Sequence, residues 1–177
     1  MKGTLEHLNQ EMKTKAMTRV KEGHYVIVKG VDQQEDITLV NIYAPNTGAP
    51  KYVRKILDDF KKEINSNTVI GGDFNTPLTT MDRSSKQRIN KNTVALNNTL
   101  DKMDLTGIYR TFNPKGAKYT FFANACESFS KVDHMVGHKI SLKNFKKIKI
   151  ISSIFSGHNV LKLEPNPKEK AQKHSNT

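Results

Sequence analysis

The chain has 177 residues, enough for one domain with a real core, and its 36% hydrophobic content includes no run of transmembrane length. Lys and Arg number 29 against 17 Asp and Glu, a formal charge of +12 that favours a polyanionic partner, nucleic acid before an anionic membrane surface. The single cysteine, Cys126, excludes an internal disulfide, and the first residues lack a secretory signal; the expected location is nuclear or cytoplasmic, not secreted. No basic amphipathic helix with bulky aromatics is present, so no membrane partner is expected.

In chain order, residues 1–22 are polar and mixed in charge, and read as a frayed helix or loop leading into a domain over residues 23–164. Residues 24–30 and 37–43 are β-branched runs around an acidic turn, the pattern of a β-hairpin. Residues 44–50 are a loop by composition. From Lys51 the period becomes helical, with Tyr52, Val53, Ile56, Leu57, Phe60 and Ile64 on one face. Thr68-Val69-Ile70 is a buried strand that ends in Gly71-Gly72-Asp73-Phe74-Asn75-Thr76-Pro77. A strand, a helix and a strand in this order imply an α/β layered fold. A second helix is expected from about Thr93 to Met103, then a short apolar piece at 105–109 and a turn at 113–116. Strands are expected at 119–122, 131–136, 148–151 and 160–163, and the polar tail 165–177 reads as disordered.

Five side chains could carry chemistry: Tyr43 at a strand end, Asp73 and Asn75 past another, Asp133 inside an apolar strand, and His158 on a loop. Asp133 needs a partner, because a carboxylate among apolar neighbours is costly alone. A histidine oriented by a carboxylate can stabilise charge or handle a proton. A second carboxylate can position water, while an Asn amide and a Tyr hydroxyl donate to phosphate oxygens. Together they describe a site for attack on a phosphodiester.

The segments Asn41-Ile42-Tyr43-Ala44-Pro45-Asn46, Gly71-Gly72-Asp73-Phe74-Asn75-Thr76-Pro77, Tyr119-Thr120-Phe121 with Ser130-Lys131-Val132-Asp133-His134, and Ser156-Gly157-His158 occur in that order. They resemble the endonuclease domain of LINE-type non-LTR retrotransposons, of the endonuclease/exonuclease/phosphatase superfamily, from about His24 to Leu163. The resemblance implies a four-layered α/β sandwich, here partial and lacking the first strand-rich portion, together with a magnesium cofactor and nicking of target DNA. It implies that Tyr43 contacts the scissile phosphate, Asp73 aligns or deprotonates water, Asn75 holds the transition state and Asp133 orients His158. Arg83, Thr120 and Ser156 lie in segments resembling those that touch DNA.

Two departures shape the expectation. The chain is expected to lack the early strands with the metal-ligating Glu, and Gly157 stands where the family has an acidic residue. No metal ligand is therefore assigned, the magnesium site is expected to be incomplete, and catalysis is expected to be severely impaired or absent. Whether a partner chain supplies the missing portion is left open. The alternatives are a non-catalytic, basic nucleic-acid-binding module that uses Arg83, Lys86, Arg88, Lys91 and the lysines of 139–149, and, ranked last, a phosphatase acting on a small molecule.

Overall fold

The computed structural model describes residues 13–19, 24–32, 34–85, 88–123, 127–154 and 156–167. At its centre lies the hairpin that the β-branched runs dictate: β2 (Tyr25–Asp32) and β3 (Glu35–Tyr43) pair antiparallel from Tyr25↔Ile42 to Asp32↔Glu35. Gln34, at φ 70°, takes the left-handed position in the turn. The outer side of β2 is occupied by β1 (Lys13–Arg19), a strand where a frayed helix or loop is expected from the sequence. β1 carries no apolar face, and Met17 is 64% exposed; it forms because the edge of β2 offers unpaired N–H and C=O groups. Among the described residues nothing pairs with its other edge, where the charges of Lys13 and Lys15 discourage further pairing.

Past β3 the chain crosses over through α1 (Ala49–Asp59) to β4 (Thr68–Asp73), which lies parallel to β3. Gly48, at φ 78°, and Pro50 set the start of α1, and its apolar stripe buries Val53, Ile56 and Leu57. α2 (Lys91–Lys102) is capped by Asn90, whose side chain accepts from the Thr93 N–H. A short strand β5 (Leu105–Gly107) and a helical turn α3 (Ile108–Phe112) occupy the expected apolar piece. The ribbon β6 (Phe121–Ala123) with β7 (Ser128–Ser130) precedes β8 (Asp133–His138). β9 (Phe145–Ile151) and β10 (Val160–Pro165) make a separate antiparallel pair.

The main sheet has the order β1-β2-β3-β4-β8-β5. Alternation places its side chains in two cores. On one face Val40, Ile42, Ile70 and Val136 meet Val53, Leu57, Leu96 and Leu100 of the two longer helices. On the other, Val28, Leu39, Val69 and Met135 meet Ile148 and Leu161 of the β9–β10 pair, with Ile108 and Tyr109 beside them. The described residues thus form helix, sheet and sheet layers. Part of the expected tail is tied down, since the Asn166 backbone N–H donates to Asn144 O at 2.7 Å; residues 168–177, like 1–12, lie outside the described residues. Among the described residues no helix is long and apolar enough to cross a membrane.

Candidate active site

Three of the five chemical side chains fall on one rung of the main sheet. Tyr43 of β3 is in register with Asp73 of β4, and Asp73 with Asp133 of β8. Registered neighbours project to the same face. The parity of this rung puts it on the side of the β9–β10 pair, at the end of the sheet. The loop between β9 and β10 brings His158 over it, and His158 Nδ1 donates to Asp133 Oδ2 at 2.9 Å. Packing of Ile148 and Leu161 onto the sheet and the backbone bridge of His158 to Phe121 both help to place the imidazole.

The turn past β4 depends on Gly72. Its φ is +128°, and a Cβ there would stand 2.1 Å from Ile42 O. Only a residue without a Cβ lets β4 approach β3 this closely while delivering Asp73 to the rung. Asn75 follows in the left-handed region at φ 50°, its backbone N–H donating to Asp73 Oδ1 at 2.9 Å. Its amide donates to Ala44 O at 3.1 Å and to Asn46 Oδ1 at 2.7 Å. Both amide hydrogens are thus used within the protein, and Asn75 braces the loop past β3 against the loop past β4. The oxyanion-donating role expected for it requires exchange of one of these bonds.

Electrostatics in the cluster follow from two carboxylates held side by side. Burial, and after it the Asp133 charge, raise the Asp73 carboxyl above its ordinary value. The hydrogen bond to Asp133 raises His158 above its ordinary value, with burial opposing and the charges of Asp133 and Asp73 adding. The site therefore favours positive charge, whether as a proton, an imidazolium or a metal ion. One ligand atom each from Asp73, Asp133 and His158 lies within 4.8 Å of the others, a set that suits a divalent cation completed by water or phosphate oxygens. Asp73 does not stand alone in this set, because β8 brings Asp133 onto the same rung. Tyr43, at 47% exposed, stands open at the edge of the cluster.

The three residues expected to touch DNA behave differently from one another. Arg83 is half-buried and bridges to Ser130 through its backbone; it lines a cleft of about 250 Å³ together with Arg88, Thr76, Thr79 and Asn90. Ser156 is exposed, and its hydroxyl donates to His158 O at 2.7 Å and accepts from the His158 N–H at 3.2 Å, shaping the loop that presents the imidazole. Thr120 is turned inward. It is 1% exposed, and its hydroxyl accepts the N–H groups of Val132 and Asp133, both at 3.1 Å. Its carbonyl accepts the Asn159 N–H at 2.7 Å. Thr120 therefore holds the segments carrying Asp133 and His158 in mutual position.

A buried polar group next to the site is not evident from the motifs. Asp82, at 1% exposed, binds Arg110 Nη2 at 2.7 Å and Lys131 Nζ at 3.2 Å. Lys131 Nζ also donates to His134 Nδ1 at 3.0 Å, and His134 Nε2 donates to Thr76 O at 2.9 Å. Burial, then the Lys131 charge, push His134 down to about 3, so the ring is neutral. The signal that could have exposed this group is Lys131 and His134 flanking an apolar-strand Asp, since a lysine is rarely buried without a partner.

No known family model matches the chain. The transposon TX1 uncharacterized 149 kDa protein of Xenopus laevis is 27% identical over 154 residues, which is 82% of this chain and 12% of that protein. The endonuclease domain of TRAS1, a telomere-specific non-LTR retrotransposon, superposes with a TM-score of 0.69 at 16% identity, covering 87% of this chain and 70% of that one. The 3′ phosphatase NExo from Neisseria, solved with a product DNA hairpin, gives 0.68 at 14% identity over 88% of this chain and 72% of that one. The chain has the mixed α/β fold of the endonuclease/exonuclease/phosphatase type, as its resemblance implies.

Proposed function

We propose that this chain is a retrotransposon-type DNA endonuclease domain that hydrolyses a phosphodiester, with its activity severely reduced. The observation that carries the reading is the rung Tyr43–Asp73–Asp133 with His158 bonded to Asp133 at 2.9 Å, set at the sheet end of this fold. The similarity to a transposon protein and to a retrotransposon endonuclease domain supports DNA as the substrate.

Each side chain has a separate task. Asp73 has the raised proton affinity of a group suited to aligning and deprotonating water. His158, held by Asp133 and with its proton affinity raised by that bond, presents an N–H to the charge that develops on phosphate. Tyr43 is exposed enough to donate its hydroxyl to a phosphate oxygen. Asn75 fixes the Asp73 loop. Asp73 and Asp133 would hold the divalent metal, magnesium in this reading, which supplies Lewis-acid stabilisation of phosphate charge when bound. Reduced activity rests on Gly157, which supplies neither charge nor ligand where the family has an acid. Loss of one member of such a group costs about two to four decades in rate. In this reading a DNA target implies the nucleus, while the single cysteine agrees equally well with the cytosol.

The charge of +12 favours a second reading, a basic module that holds nucleic acid without cutting it. Nicking of supercoiled plasmid with magnesium separates the two. Slow nicking that EDTA and His158→Ala both abolish is the expected result. No nicking with a salt-sensitive gel shift favours the binding module, fast nicking removes the claim of impairment, and neither signal rejects both readings.

A further inference from the structure

We propose that Lys131 and His134 are positioning residues for the active rung. They clamp the loop that carries Asp73 and Asn75 to the strand that carries Asp133, and so set the Asp133–His158 bond. The inference rests on the endonuclease reading for its meaning but not for its test.

The geometry has three parts. Lys131 and His134 bracket Asp133 in sequence, and both are almost fully buried, at 3% and 2% exposed. His134 reaches across to Thr76 O, the residue after Asn75, at 2.9 Å. Lys131 reaches Asp82, whose Oδ2 accepts the backbone N–H groups of Leu78 at 3.2 Å and Thr79 at 2.9 Å, so the far end of the same loop is held by the same strand. The Phe74 N–H donates to Val132 O at 2.9 Å at the start of the loop. The loop over residues 74–82 is therefore attached to 131–134 at both ends and in the middle. The active carboxylates leave from those attachments.

Stability alone does not account for the arrangement. The Asp82 ion pairs with Arg110 and Lys131, and the two bonds of His134, lie buried among Tyr109, Phe74 and apolar strands. Apolar residues of similar volume are often as stable or more so at such places. What a hydrogen-bonded ion network supplies instead is a single geometry, because each bond has a required direction. A shift of about 1 Å at a reacting group can cost about a hundredfold in rate.

The test uses the intact chain. The Nδ1–H of His158 bonded to Asp133 gives a far-downfield proton resonance, assigned by its absence in His158→Ala. Lys131→Met should remove or broaden that resonance while the circular dichroism spectrum and cooperative melting persist. The double variant Lys131→Met/His134→Leu removes both polar partners together and avoids an orphaned imidazole nitrogen; it should fold and also lose the resonance. Where the wild type nicks DNA, kcat should fall by about tenfold to a hundredfold with KM unchanged. The proposal is overturned if either folded variant keeps the resonance, or if both variants lose the fold along with it, which would make the pair a core support only. A wild-type chain that shows the resonance but no nicking defeats the endonuclease reading and leaves the resonance to decide this one. Absence of the resonance in the wild type overturns the proposal.

Discussion

Gly72 and Asp82 show how much of the site is settled by single residues. At Gly72 the positive φ and the contact of 2.1 Å with Ile42 O act together, so no L side chain fits without parting β3 from β4. Gly72→Ala should destabilise the fold by about 2 kcal/mol or more. Gly107→Ala, where nothing lies within 4 Å of the added Cβ, should change it by well under about 1 kcal/mol; chemical denaturation of the pair checks both. At Asp82, burial works against ionisation, but the Lys131 charge, then His134 once it gains its proton at about 3, and the Arg110 bond hold the carboxyl at about 2 against an ordinary 3.8. A carboxyl that binds its proton more weakly when folded adds stability above 3.8 that is lost as pH falls through about 2. That gap is worth about 2 kcal/mol at neutral pH. Asp82→Asn should therefore melt lower at pH 7 and show a flatter decline between pH 4 and 2 than the wild type, as read by thermal unfolding across pH. An equally steep decline in the variant would place the acid sensitivity elsewhere.

At the level of elements, the site depends on how short pieces are joined. The ribbon β6–β7 is only three residues on each strand, yet Thr120 just before it ties Val132, Asp133 and Asn159 together. Thr120→Val keeps the shape and removes the acceptor, leaving two buried N–H groups unmatched at about 1–3 kcal/mol each. The expected outcome is a lower melting temperature and a weaker His158–Asp133 bond, seen as a fall of the His158 pKa toward 6.5 by proton NMR. An unchanged His158 pKa would show that the imidazole is held from its own loop alone. The helices were legible beforehand because their apolar spacing is strong, as at Val53, Ile56 and Leu57. β1 was not, because an exposed edge strand is made by the neighbour's free hydrogen-bonding groups and leaves no apolar pattern of its own. β7 was obscured for a different reason: three residues are too few for alternation to register, whereas its partner β6 overlaps the strand expected at 119–122.

For the whole molecule, the charge of +12 predicts binding to duplex DNA that weakens steeply with salt. If about six phosphates are neutralised, affinity should fall by about a thousandfold between 50 and 200 mM salt, and filter binding across salt would measure the slope. A flat response would remove electrostatics as the source of affinity. Composition and motif order alone determined the charge, the α/β class and the identities of Tyr43, Asp73, Asn75, Asp133 and His158, since these depend on residue type and local period. The tertiary structure decided the rest. Only register across β3, β4 and β8 puts Tyr43, Asp73 and Asp133 on one rung, only sheet packing brings His158 to 2.9 Å from Asp133, and only burial turns Thr120 inward and joins Asp82, Lys131 and His134. The physical reason is that these contacts join residues far apart in the chain, and a local pattern carries no information about which distant strand will be its neighbour.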